Sequence, residues 1–165
     1  METNITIGFG DIVDKIHQES AYVGAKSIGT DSAAFERIST IDTDEPMLMQ
    51  YVKDSFAALQ LRLSRYHCEC TSTQNAEDGT TNIEVSLNLP TNFGGSDKTI
   101  EDMLTSYFAK MAFCSWVTLS KAGNYEYYYG RANEVLTTLR DYLARRNKPT
   151  RKEPETIKYK KTTYE

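Results

Sequence analysis

The stretch SDKTIEDMLTSYFAKMAFCSWVTLSKAGNYEYYYGRANEVLTTLRDYLARR, Ser96 to Arg146, decides the fold. In its first half Ile100, Met103, Leu104, Tyr107, Phe108, Met111 and Cys114 recur at three- and four-residue steps. Such spacing gathers them on one face of a 3.6-residue helix. In its second half Tyr125, Tyr128, Ala132, Val135, Leu136, Leu139 and Leu143 do the same. Ser96 or Thr99 suits the first helix start, and Asp97 and Glu101 lie near the positive end of its dipole. Gly123 in Lys121-Ala122-Gly123-Asn124 suits the left-handed residue that closes a helix, and Asn124 can cap the next. So short a turn makes the two helices antiparallel neighbours. Their apolar stripes still need a third layer.

Working outward, the preceding segment changes period. Asn82 to Leu89 alternates polar and apolar residues through four pairs, the pattern of a half-buried strand. Cys68 to Thr73 alternates less decisively, and Gln74 to Thr80 is rich in turn formers. The spacing predicts an antiparallel hairpin over about 68–90 with an exposed, mobile tip at 75–79. Ile83, Val85 and Leu87 should be its buried side. Thr43-Asp44-Glu45-Pro46 predicts a helix start with Thr43 as cap and proline in the first turn. That helix should run to about His67 on a stripe of Leu48, Val52, Phe56, Leu59, Leu63 and Tyr66. Earlier still, Phe9, Ile12, Val13, Ile16, Ser20 and Val23 share one face of a helix from Gly10 to about Ser27. Asn4 to Gly10 reads as a short extended lead-in. Ile28 to Ser32 reads as a loop, and Ala33 to Ser39 as a turn or two anchored by Phe35 and Ile38.

After Asn147 the apolar period vanishes, and Pro149 and Pro154 break any helix. Residues 145–165 carry eight basic and three acidic groups, a net +5, which leaves −9 of the overall −4 on the rest of the chain. An acidic body with a basic arm predicts that the arm meets an acidic surface, either nucleic acid or another copy of this body. A solvated tail is the plain alternative. Thr156 to Tyr164 alternates loosely, as a segment does that becomes extended against a partner's strand edge. The candidate partner-binding residues are Arg145, Arg146, Lys148, Arg151, Lys152, Ile157, Lys158, Tyr159, Lys160, Lys161 and Tyr164. The expected organisation is a domain over residues 1–146 and an arm over 147–165.

The 165 residues suffice for one domain with a real core. No apolar run reaches the roughly 18 residues of a membrane span, and no signal peptide is expected. Three cysteines, an odd number, argue against a disulfide framework and fit a reducing compartment. His67-Cys68-Glu69-Cys70 lacks the second ligand pair of a zinc site. Cys114 lies on an apolar stripe, so it reads as core, and His17 reads as a surface histidine. The run Tyr125, Tyr127, Tyr128 and Tyr129 cannot all face one core, so some of it should meet a subunit or the hairpin. Gly8-Phe9-Gly10 is too short for a nucleotide loop, and no triad or metal-helix spacing occurs. No catalytic, cofactor-binding or metal-ligating residue is expected, and no enzyme.

The whole reads as α+β and mainly helical: an antiparallel helical bundle with an inserted β-hairpin and an extended C-terminal arm. That arrangement resembles the neck adaptor proteins of tailed phages, also called head–tail connector or head-completion proteins. The segments Asp11-Ile12-Val13-Asp14, Ser20 to Lys26 and Phe35-Glu36-Arg37-Ile38 are similar to small prophage structural proteins of gut Bacteroidota. The resemblance implies a structural virion component, made in the bacterial host cytoplasm and bound as a homo-oligomeric ring between portal and tail proteins. DNA would pass through the ring without sequence-specific contact, and no membrane or cofactor would be involved. The alternative is a nucleic-acid-binding accessory protein that contacts phosphate through the basic arm. Steep weakening with salt would mark the second reading.

Overall fold

The structure, a computed structural model, describes residues 1–27, 38–76, 79–119 and 125–147. The chain is α+β and mainly helical, with one three-stranded antiparallel sheet. Its elements run β1 (Glu2–Gly8), α1 (Phe9–Ser27), α2 (Glu45–Asp54), α3 (Phe56–Arg62), β2 (Glu69–Gln74), β3 (Thr81–Asn88), α4 (Asp97–Leu119) and α5 (Tyr125–Leu143). Phe35, the turn at 121–124 and the arm from Lys148 onward lie outside the described residues.

The sheet is ordered β1-β3-β2. Ile83, Val85 and Leu87 are buried, as the alternation predicts. β2 pairs antiparallel with β3, Cys70 opposite Val85. The stretch expected as a lead-in is instead a full strand on the other side of β3, with Thr3 opposite Leu87, Ile5 opposite Val85 and Ile7 opposite Ile83. All three of those β1 side chains are buried, and Ile5 and Ile7 extend the apolar layer of β3 across the sheet. At the β2–β3 connection Asn75, Ala76 and Gly79 are exposed. The Asn75 amide donates to the Thr80 carbonyl at 2.8 Å, and Gly79 takes a positive φ of 72°.

α4 is the centre. From its apolar stripe Ile100, Leu104, Tyr107, Phe108 and Cys114 are buried and Met103 and Met111 half-buried, and Thr105, Ala109, Ala112, Phe113 and Val117 are buried on its other sides. α5, α1, α2 and β1 all pack on it. The two long helices run antiparallel: the Tyr142 hydroxyl near the end of α5 reaches the Ser96 amide before α4, and the Cys114 thiol near the end of α4 reaches the Tyr125 carbonyl. The rings of Phe56 and Phe108 meet edge to face at 5.6 Å, carrying the packing from α4 to α3.

The helix expected from Thr43 to His67 is corrected in two ways. Thr43 is not its cap: a 3-10 turn over Asp42–Asp44 leads into Glu45, and Asp44 stands at the cap without a side-chain cap bond. Its carboxylate accepts from the Ile41 amide at 2.9 Å instead, bracing the turn before the helix. The helix is also interrupted at Ser55, whose hydroxyl donates to the Val52 carbonyl at 2.6 Å while its amide is shared between the Tyr51 and Val52 carbonyls. A serine that bonds back along its own turn tightens the backbone locally. His67 ends the segment in the left-handed region, at φ 46°. The stripe survives the break, since Leu48, Val52, Leu59, Leu63 and Tyr66 are all buried.

α5 ends at Leu143, short of Arg146. Its last turn tightens, the Arg145 amide donating to the Tyr142 carbonyl at 3.0 Å. Arg146 then forms an isolated antiparallel bridge with Phe93, and the Asn147 amide donates to the Asn92 carbonyl at 2.9 Å.

Leu139 is fully buried where α5 meets α4. Leu139→Ala should cost about 2–5 kcal/mol, read as a lowered midpoint in urea; an unchanged midpoint would refute this packing. Tyr107 is also buried, and burial pushes its phenol up to about 12. The folded state favours the neutral ring, so this stability is complete below the unfolded value of about 10 and is lost as pH rises through the folded value. Melting temperature should fall over that alkaline window, and Tyr107→Phe should flatten the fall.

Candidate functional site

Of the expected arm residues, only Arg145 and Arg146 lie among the described ones, and both are engaged with their own domain. The Arg145 guanidinium sits 4.8 Å over the Tyr142 ring, a cation–π distance. The Arg146 guanidinium donates to the carbonyls of Leu143 at 2.9 Å and Arg145 at 2.8 Å, where α5 leaves carbonyls without helical partners. Lys148, Arg151, Lys152, Ile157, Lys158, Tyr159, Lys160, Lys161 and Tyr164 fall outside the described residues.

What the structure defines is a junction between the end of α5 and the segment just before α4. Tyr142 anchors it: hydrogen bonds from Thr99 and from the Ser96 amide, the latter 2.6 Å, hold its hydroxyl below the ordinary tyrosine range. Phe93 meets the same ring edge to face at 5.9 Å. Gly95 permits this approach, because a Cβ there would come within 2.7 Å of the Tyr142 ring. The Asn147 side chain donates to the Phe93 carbonyl at 3.3 Å, so the junction is tied on both strands of the bridge.

A second feature, not legible in the sequence, is a cleft of about 650 Å³ bounded by α1, α4 and α5. α1 supplies Lys15, Glu19 and Tyr22 at helical spacing, and α4 supplies Ser106, Lys110 and Phe113 in the same way. α5 closes the third side with Tyr127, Tyr128 and Arg131. Phe113 and Tyr128 meet edge to face at 5.2 Å, and Tyr127 meets Tyr128 at the same separation. Lys110 pairs with Glu19 across the cleft, while the Lys15 ammonium donates to the Ser106 hydroxyl at 3.1 Å. Tyr22 and Tyr127 stand 61% and 57% exposed at its mouth.

The tyrosine run therefore divides. Tyr128 packs on α4, Tyr127 edges the cleft, and Tyr125 stacks on Tyr129 at 5.5 Å one turn on. His17 is half-buried rather than a surface group, because its Nε2 is enclosed and finds no hydrogen-bond partner among the described residues. Cys68 and Cys70 are buried free thiols with their sulfurs 3.9 Å apart, and Cys114 is core as expected, its thiol pushed up to about 11 by burial. Among the described residues no three metal-ligating side chains gather, and no helix is long and apolar enough to cross a membrane.

No family model, curated protein or solved structure matches the chain.

The exit junction makes a prediction from two glycines. Gly95→Ala should displace Tyr142 or Phe93 and lower stability by about 1–3 kcal/mol, as overpacking does. Gly130 lies in α5 with open space where a Cβ would stand. Gly130→Ala should raise stability by up to about 1 kcal/mol. Urea midpoints of both variants decide it, and equal responses would contradict the close approach at Gly95.

Proposed function

We propose that the chain is a structural component of a tailed-phage virion, a neck adaptor joining portal to tail in a homo-oligomeric ring. In this reading the helices act as an antiparallel bundle, the β2–β3 pair as an inserted hairpin, and the residues beyond Asn147 as an extended arm laid on a neighbour. The observation that carries it is the tethered exit. Arg145 and Arg146 serve the domain's own end, and the Phe93–Arg146 bridge fixes the chain as far as Asn147 on an acidic body. Beyond that point six basic and three acidic residues remain, a net +3, suited to the acidic face of the next copy. Portal and tail proteins are the other partners in this reading. The virion is its place of function.

Deleting residues 148–165 tests it. The bridge and the Asn147 bonds all precede the deletion, so the shortened chain should keep its helical circular dichroism and melt within about 2 °C of the full chain. It should nevertheless fail to join portal-bearing particles. Undiminished assembly would make the arm a solvated tail and remove the reading. If the full chain instead binds DNA with an affinity that collapses between 50 and 200 mM salt, as roughly expected for several phosphate contacts, the nucleic-acid reading takes its place.

A further inference from the structure

The cleft between α1, α4 and α5 has a charge opposite to that of its surroundings. It contains three cations, Lys15, Lys110 and Arg131, against one carboxylate, Glu19. Glu19 is occupied by Lys110. Lys15 is held by a neutral hydroxyl and has no carboxylate partner among the described residues, and Arg131 has none either. The body around them carries −9 over residues 1–144. A half-buried ammonium without a counter-charge is costly to keep, and a bound anion would offset that cost. The walls are aromatic, and Tyr22 and Tyr127 expose most of their surface at the mouth.

The walls come from three helices packed on a common core, so the cleft needs no rearrangement to form. Its volume of about 650 Å³ falls within the range of small-ligand sites, about 300–1,000 Å³. Such sites combine apolar walls with a few convergent polar groups.

We propose that this cleft binds a small planar aromatic anion, its ring against Tyr128 and Tyr22 and its phosphate or carboxylate between Lys15 and Arg131. The site is independent of the virion reading, because it involves neither the exit junction nor the arm. A protein segment is the less favoured occupant: the positive groups converge within one cleft instead of running along an extended strip.

Titration calorimetry of the full chain with 1-naphthyl phosphate tests the site. Saturable binding at one site per chain is expected. Lys15→Gln and Arg131→Gln should each weaken it by about tenfold, while both variants melt within about 2 °C of the parent. Tyr22→Ala, which removes a largely exposed ring, should weaken it as well. Naphthalene-1-methanol, the neutral analogue, and inorganic phosphate should each bind at least tenfold more weakly than the aromatic phosphate. Several results would overturn the proposal. They are no saturable binding, binding indifferent to both charge variants, and equal binding of the neutral analogue or of phosphate alone. Capture of an acidic, tyrosine-bearing peptide in place of naphthyl phosphate would do so too, making the cleft a protein-docking groove.

Discussion

Because α4 is buried on more than one side, its neighbours have to cover it from several directions, and their placement follows. A helix with one apolar stripe needs one partner, but α4 hides Phe108 and Leu104 together with Thr105, Ala109, Ala112 and Phe113. α5 covers part of this surface, and α1, α2 and β1 cover the rest. Small side chains at 109 and 112 let neighbouring backbones approach, while Phe108 and Phe113 fill the space around them. The sheet is placed by the same demand, since β1 both pairs with β3 and packs on α4.

Elements with a clean local period were legible. α1, α4 and α5 fall where apolar spacing placed them to within a residue or a few, and the buried side of β3 was identified residue by residue. Features that depend on distant pairing were not. β1 is completed by a strand some 80 residues later, and five to seven alternating residues look alike whether or not a partner awaits them. The break at Ser55 is invisible to periodicity because the stripe runs on in register while one hydroxyl competes for a backbone carbonyl. The further buried faces of α4 are weakly marked, because Thr105, Ala109 and Ala112 weigh little in an apolar pattern and Phe113 and Val117 fall outside its single stripe. The cleft escaped for a different reason. Lys15 falls outside the apolar face of its helix, and it reaches Ser106 only because α4 lies alongside. The one signal available beforehand was the surplus of tyrosines over what a single core face can hold.

Charge was legible as a total but not as a distribution of roles. A +5 tail counted from Arg145 includes two arginines that the fold uses for itself. Arg146 meets the carbonyl end of α5, where a cation and a hydrogen-bond donor are favoured together, and Arg145 covers the ring that anchors the junction. Their contribution is therefore local and ordered, and only the charges beyond Asn147 enter the proposed contact with a neighbour. A long-range steering argument applies to the second group alone, and it weakens with ionic strength, unlike the first.

The junction at the end of α5 and the cleft also sit far enough apart to act separately. The exit junction lies at Ser96, before the first turn of α4, and the cleft reaches α4 at Ser106, Lys110 and Phe113. At 1.5 Å per residue, Lys110 is about 20 Å along the axis from Ser96. Effects at sites so separated, with no shared partners, ordinarily add. Occupancy of the cleft should thus leave the tether at Phe93 and Arg146 unaltered unless α4 itself moves. A helix buried by four neighbouring elements has little freedom to do so, because each shift would open contacts on several sides at once.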